Sequence, residues 1–350
     1  MHTVTVRTKK PYDVLIERGL TDKLPALLAP YRERSITIVS DSDVAPLHLP
    51  RVQSILENAS FRVTHFVFPS GEAHKTLKTL DALLTFLYEN EMTRSDLLLA
   101  LGGGLTGDLT GLAAALYCRG TEFIQLPTSL LAAVDASVGG KTAVNLQGAK
   151  NQIGVFHQPS AVFCDTAFLD TLPPARFAEG MAEVIKYGFI GDASLLDRLT
   201  PILDIDAVIA DCVRAKARIV TEDEFEHGVR KLLNFGHTFG HAVEAVSHHE
   251  ISHGDAVSIG MCRAYRAALR AGICLENLDD RLYPLLDYYG LPTDTSLDYT
   301  ALCASMRHDK KRASGDITLV LPKKLGECVC HTLPIDQIEE FFAPSTESEK

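Results

Sequence analysis

Between residues 35 and 126 short apolar runs alternate with helix-length segments, and that alternation admits few folds. Ser35-Ile36-Thr37-Ile38-Val39-Ser40-Asp41 is a buried-strand run ending in an acid; 61–67, 96–101 and 122–126 repeat the pattern, with a helix predicted at 74–90. Strands joined by helix-length connections require right-handed crossovers and hence a largely parallel sheet. Residues 1–7 alternate like a further strand. After Pro173-Pro174 the period changes to about 3.6, predicting helices at 174–189, 205–222, 229–247, 254–272 and 298–311, with strands only at 316–321 and 328–332. The predicted class is therefore α/β: a Rossmann-like domain over 1–172 followed by an α-helical domain over 173–350. A length of 350 residues suits two domains at about 150 residues each.

Composition removes several kinds of function. The chain carries 34 Lys+Arg against 45 Asp+Glu, a net charge of −11, with no basic stripe to follow a nucleic-acid backbone. No apolar run approaches the ~18 residues of a membrane span, and the N-terminal residues lack an apolar signal core, so a cytoplasmic protein is expected. The 8 cysteines are scattered without a C-x-x-C pair, which predicts reduced, mostly buried thiols.

Three groups of residues carry chemistry. Gly102-Gly103-Gly104-Leu105-Thr106-Gly107-Asp108 directly follows a strand and opens a helix, the context in which G-x-G-x-x-G has physical meaning: the glycines permit a tight turn, and helix amides meet a pyrophosphate. The acid expected about 20 residues on is missing, because Glu122 begins its strand; Asp41, which ends one, precedes the turn. This is a dinucleotide site of non-Rossmann order, or a glycine-rich turn alone. Asp135-Ala136-Ser137-Val138-Gly139-Gly140-Lys141-Thr142 resembles a phosphate loop but has Asp where the first glycine belongs, so an NTPase is not expected. Gly148–Gly154, with Lys150 and Asn151, reads as another glycine-bounded polar loop.

The third group lies in the helical half. Arg230, Asn234, His237 and His241 fall on one face of the helix predicted at 229–247, and Glu179, Glu183 and Lys186 share a face of the first helix. Glu183 sits among apolar neighbours, and His253 opens a following helix. One Glu with two His makes a familiar zinc set, although His237 and His241 lack the H-E-x-x-H signature, and helix-surface salt bridges are the competing reading.

Taken together, Ala100–Asp108, Pro127–Asn145, Gly180–Lys186, Asn234–His241 and His253-Gly254 resemble the 3-dehydroquinate synthase family of the shikimate pathway, over roughly residues 10–340. The resemblance implies an NAD-binding α/β domain followed by a metal-binding helical domain. It implies that NAD is held by Ser70, Gly71, Glu72, Ala73, His74, Lys75, Gly103, Gly104, Leu105, Thr106, Gly107, Asp108, Thr128, Ser129, Lys141, Lys150 and the segment Phe168-Leu169-Asp170-Thr171, with Asp41 at the ribose. Zn2+ or Co2+ would be bound by Glu183, His237 and His253. A phosphorylated keto-sugar acid would meet Asp135, Lys141, Asn151, Lys186, Lys216, Arg230, Asn234, His241 and Lys310 or Lys311, and Arg119 would enter the site of a partner in a homodimer. Ser129 departs from the family's usual second threonine but keeps the hydroxyl. The implied activity converts 3-deoxy-D-arabino-heptulosonate 7-phosphate to 3-dehydroquinate and phosphate. A related sugar-phosphate cyclase acting on a substrate without a carboxylate, or a metal-dependent polyol dehydrogenase, is the alternative; the pairing of Arg230 with Asn234 favours a carboxylate ligand.

Overall fold

The computed structural model describes residues 1–343 apart from 148, 203, 249 and 311–314, and of 308–310 the backbone only. The chain divides into two compact units, one of Met1–Phe177 with Asp204–Phe225 and one of Ala178–Leu203 with Glu226–Lys350.

The first unit is built on a seven-stranded sheet. Its strands are β1 (His2–Val6), β2 (Tyr12–Ile16), β3 (Ser35–Asp41), β4 (Arg62–Phe68), β5 (Leu97–Gly102), β6 (Glu122–Pro127) and, after a separate hairpin, β9 (Ala161–Cys164), in the order β1-β2-β9-β6-β5-β3-β4. β1 pairs antiparallel with β2, and every other pairing is parallel. Connections run through the one-turn α1 (Leu24–Leu27), then α2 (Ala45–Asn58), α3 (Leu77–Glu89) and α4 (Gly104–Leu116). β3 and β5 are buried along nearly their whole length, as a sheet covered on both faces demands. Leu49, Val52 and Leu56 of α2 pack on one face with Ile36, Ile38 and Leu99. Leu83 and Leu87 of α3 and Leu109 and Leu112 of α4 pack on the other with Val39 and Leu98.

This order creates a switch point. From β3 the chain moves outward to β4, then returns past β3 to β5, so the connections leave β3 and β5 toward opposite faces. In sheets of this order ligands bind outside the carboxyl ends of the strands that flank the switch point, here β3 and β5.

The second unit gathers most of α5 (Pro174–Ile190) with α7 (His237–Val246), α8 (His253–Arg270), α9 (Asp279–Tyr288), α10 (Tyr299–Lys310), the antiparallel pair β10 (Asp316–Lys324) and β11 (Glu327–Pro334), and the short α11 (Ile338–Phe342). Glycines set how closely its helices approach. A Cβ on Gly260 of α8 would lie 1.9 Å from the Gly236 carbonyl oxygen, and one on Gly254 would lie 2.3 Å from Cα of Glu179 in α5.

Several expectations need correction. Residues 229–247 do not form one helix: a 3-10 turn, Val229–Asn234, ends before Gly236, whose φ of 79° is left-handed, and α7 starts afresh at His237. The loop readings around Lys141 and 148–154 give way to a hairpin of β7 (Lys141–Leu146) and β8 (Ala149–Phe156), whose register shifts between Val144 and Leu146. α6 (Ile205–Glu222), read from sequence as part of the helical half, belongs to the first unit, lying against β1, β2 and the turn Ala132–Ala136. β2, β9 and α9 had no sequence signal strong enough to separate them from loops. All eight cysteines are free, six of them buried, and burial raises the thiol of Cys262 to about 12.

Candidate functional site

In the first unit the ends of β3 and β5 and the start of α4 meet at the switch point. A Cβ at Gly102 would strike the Thr106 hydroxyl oxygen at 2.4 Å, so the turn tolerates no side chain there. α4 then begins at Gly104 without a side-chain cap, which leaves the first-turn amides of Gly104, Leu105 and Thr106 for an anion. Across the switch point the Thr106 hydroxyl donates to Asp41 Oδ2 at 2.9 Å, while Asp41 Oδ1 accepts the amides of Asp43 and Val44, both at 3.1 Å. Asp41 is thus held rigidly at the β3 terminus beside the glycine turn, a juxtaposition that linear spacing could not supply.

Below the turn lies a second polar group. Lys75 Nζ stands 2.5 Å from Asp108 Oδ2 and donates to Asn151 Oδ1 at 2.6 Å. Burial raises the Asp108 carboxyl above its ordinary value, against the pull of Lys75. Asn145 anchors this corner, donating to Glu72 Oε1 at 2.8 Å and accepting the Asn151 amide at 2.9 Å, so the Ser70–Lys75 segment is tied to the hairpin. The Ser70 amide donates to the Ser42 hydroxyl at 2.9 Å, just beyond Asp41. Gly71 takes a φ of 96°, and His74 closes the short turn before Lys75. The amide of Thr128 donates to the Gly102 carbonyl at 3.0 Å, and the Ser129 hydroxyl is the nearest atom, at 3.5 Å, to a Cβ built on Gly103.

Other expected residues are distributed more widely. Lys216 of α6 reaches Asp135, with Nζ 2.6 Å from Oδ1 and 2.8 Å from the backbone carbonyl, so both belong to the first unit. Lys141, exposed, opens β7, and Lys150 lies half-buried in β8. In the segment 168–171 Phe168 is a core residue, Leu169 is half-buried, and Asp170 is paired with Arg18 at 2.5 Å. The Thr171 hydroxyl lies 2.9 Å from Nε2 of His48, a buried histidine that sequence reasoning missed. Arg119 is exposed beyond α4 on a left-handed turn, with φ of 49° at Cys118 and 63° at Arg119. Lys311 and the side chain of Lys310 lie outside the described residues.

The second unit holds the metal-type cluster. Glu183, on α5, is fully buried, and its Oε1 faces Nε2 of His237 at 3.4 Å and Nε2 of His253 at 3.5 Å. The three ligand atoms lie within 4.8 Å of one another. Lys186, one turn further along α5, contacts the other oxygen, Oε2. Burial alone would raise the Glu183 carboxyl, but Lys186 and the two histidines outweigh it and hold the group well below its ordinary value. Neither oxygen receives a well-formed hydrogen bond. A buried carboxylate so placed, with two imidazole nitrogens turned toward it, fits a divalent cation with an open coordination position. His241 is exposed, its ring edge-on to His237 at 5.5 Å between centroids. Arg230 is buried on the 3-10 turn that precedes α7, and Asn234 of that turn donates to Glu226 Oε1 at 3.2 Å. The break at Gly236 therefore separates Arg230 and Asn234 from the helix that carries both histidines, and the expected single-face stripe does not form.

In fold the chain is similar to solved sugar-phosphate cyclases. A solved 2-deoxy-scyllo-inosose synthase, complexed with carbaglucose-6-phosphate, NAD+ and Co2+, is similar with a TM-score of 0.89 and 26% identity, over 97% of this chain and 99% of that one. A 2-epi-5-epi-valiolone synthase from Streptomyces hygroscopicus, with NAD+ and Zn2+ bound, gives 0.87 and 27% over 97% of each. The chain belongs to the 3-dehydroquinate synthase family. Residues 65–179 match the family's N-terminal model and 180–312 its C-terminal model. The 3-dehydroquinate synthase of Streptococcus suis (strain 05ZYH33) is 42% identical over 343 residues, 95% of this chain and 97% of that protein.

Proposed function

We propose that the chain catalyses the 3-dehydroquinate synthase reaction, carbocycle formation with loss of phosphate from 3-deoxy-D-arabino-heptulosonate 7-phosphate, as a cytoplasmic homodimeric lyase dependent on NAD and a divalent metal. The observation that carries this reading is the buried Glu183 carboxylate with two imidazole Nε2 atoms turned toward it, in a chain of this family. When bound, NAD supplies a reversible hydride acceptor and Zn2+ or Co2+ a Lewis acid for substrate oxygens.

This chain's residues would do the rest. The first-turn amides of α4 receive the dinucleotide phosphates, Asp41 meets a ribose, and the Lys75–Asp108 pair shapes the pocket. Glu183, His237 and His253 hold the metal. Lys141, Lys186, Lys216, Arg230 and Lys310 are the cations available to a ligand bearing a carboxylate and a phosphate. Asp135 fixes the direction of the Lys216 ammonium, Asn151 and Asn234 supply hydrogen bonds, and His241 moves a proton beside the metal-type cluster. Arg119, exposed past the far end of α4, serves the partner's site. The test is incubation with the keto-sugar acid phosphate, NAD+ and Zn2+, with product followed by NMR and phosphate by colorimetry. One phosphate per carbocycle is expected; a phosphorylated product, or no turnover, would overturn the proposal.

A further inference from the structure

We infer that Glu244 is a positioning residue for the metal centre: it accepts the Nδ1–H of His253 and so aims the Nε2 lone pair of that imidazole at the cation. This rests on the reading of Glu183, His237 and His253 as the ligands. The two histidines are held in parallel ways. His237 Nδ1 lies 3.0 Å from the Phe235 carbonyl oxygen, which can only accept, so this nitrogen carries the proton and Nε2 is left as the donor atom. His253 Nδ1 lies 3.2 Å from Oε2 of Glu244, and its Nε2, like that of His237, is the nitrogen facing Glu183 Oε1.

Glu244 is built for this place. It lies on α7 seven residues after His237, hence on the same helix face, and is 3% exposed within the apolar run Ala242-Val243-Glu244-Ala245-Val246. A carboxylate in such a run is costly to bury unless it has a specific task. His253 is the first residue of α8, where the backbone alone would leave its ring less constrained than one in mid-helix. A carboxylate behind the imidazole removes that freedom, fixes the tautomer and raises the basicity of the coordinating nitrogen. The same carboxylate could instead be a ligand, because His241, Glu244 and His253 also bring three donor atoms within 4.8 Å. The first arrangement is favoured because His253 turns Nδ1 to Glu244 and Nε2 to the more deeply buried Glu183, which lacks a well-formed hydrogen bond.

The test is competitive titration of metal-free protein with Zn2+ against a chromophoric chelator, together with the visible spectrum of the Co2+-loaded protein and circular dichroism as a check of folding. Glu244→Ala is expected to weaken metal binding by about 10- to 100-fold and to shift the Co2+ bands. Glu244→Gln, whose amide oxygen still accepts the Nδ1–H, should recover part of that loss. If Glu244→Ala does not fold, Glu244→Gln decides: a several-fold weaker affinity with shifted bands supports the role, and wild-type affinity and spectrum overturn it. His241→Ala should leave affinity within about two-fold; loss of the metal in His241→Ala with retention in Glu183→Gln would show Glu244 to be a ligand and overturn the proposal. A wild-type protein that takes up no divalent metal would overturn the metal-centre reading itself, an outcome distinct from equal affinities in wild type and Glu244 variants.

Discussion

Replacing Gly260 with alanine separates backbone geometry from helix propensity. By propensity alone a glycine-to-alanine change inside α8 should stabilise that helix by up to about 1 kcal/mol. The packing points the other way. The added Cβ would lie 1.9 Å from the Gly236 carbonyl oxygen and 2.9 Å from the Gly240 amide nitrogen, where ordinary contact begins at 3.4 Å. The obstacle is backbone, with no rotamer to yield, so the α7 and α8 backbones must part by about 1.5 Å (3.4 − 1.9). Overpacking of this kind costs roughly 1–3 kcal/mol, here at the upper end, or roughly 6–12 °C in Tm for a unit of this size. The shift also carries His237 away from His253, whereas metal ligands tolerate errors of about 0.2 Å. Thermal melts of the metal-free protein and chelator-competition titrations should show both losses, with metal affinity down at least ten-fold. A Gly260→Ala protein as stable as wild type, with unchanged affinity, would refute the claim that this close approach sets the cluster.

Other outcomes follow from the same geometry. His253→Ala should lose the bound metal and turnover together, and full metal content by elemental analysis would contradict the ligand assignment. Asp96 accepts the Ser35 amide at 2.8 Å and the Thr93 amide and hydroxyl at 2.6 and 2.8 Å; burial raises its carboxyl, but these donors outweigh burial and hold it below its ordinary value. Because the folded value is depressed, the stabilisation is complete above the unfolded value and is lost as pH falls through the folded one. Asp96→Ala should therefore cost about 2 kcal/mol in urea unfolding at pH 7, and the gap to wild type should narrow below pH 4; a gap independent of pH would contradict the assignment. Mixing Arg119→Ala chains with His237→Ala chains, each inactive alone, should restore roughly a quarter of wild-type activity after reassembly, since half the dimers are mixed and each holds one intact site. No recovery, while wild-type controls reassemble, would place Arg119 in its own chain's site or outside catalysis.

The parallel sheet was legible because β3 to β6 are each short runs rich in apolar and β-branched residues, separated by helix-length segments, an alternation that few other folds produce. The glycine turn was legible for the same reason, since strand, glycines and helix are contiguous in the chain. The partnership of Asp41 with that turn was not, because it depends on β3 and β5 being neighbours, a matter of topology and not of spacing. Helical periodicity carried through Gly236 and so concealed the break between Arg230 and His237; only the left-handed φ shows that a new helix begins there. The hairpin of β7 and β8 escaped notice because its strands shift in register and β8 is polar and largely exposed, so neither shows the apolar run of the sheet strands. Glu183 was betrayed by its apolar neighbours, and Glu244 carries the same sign, an acid inside an apolar run, although sequence reading did not single it out.

The proposed reaction is redox-neutral, so it should require NAD without consuming it, and the ratio of product to nucleotide tests this. Metal-loaded protein freed of nucleotide is given the keto-sugar acid phosphate with NAD+ at about one-tenth of the substrate concentration, while phosphate, carbocycle and absorbance at 340 nm are followed together. The expected result is about ten carbocycles and ten phosphates per NAD+, no net NADH at the end, and no turnover without the nucleotide. Product capped at one per NAD+ with NADH accumulating in step would contradict the account and make the protein a dehydrogenase.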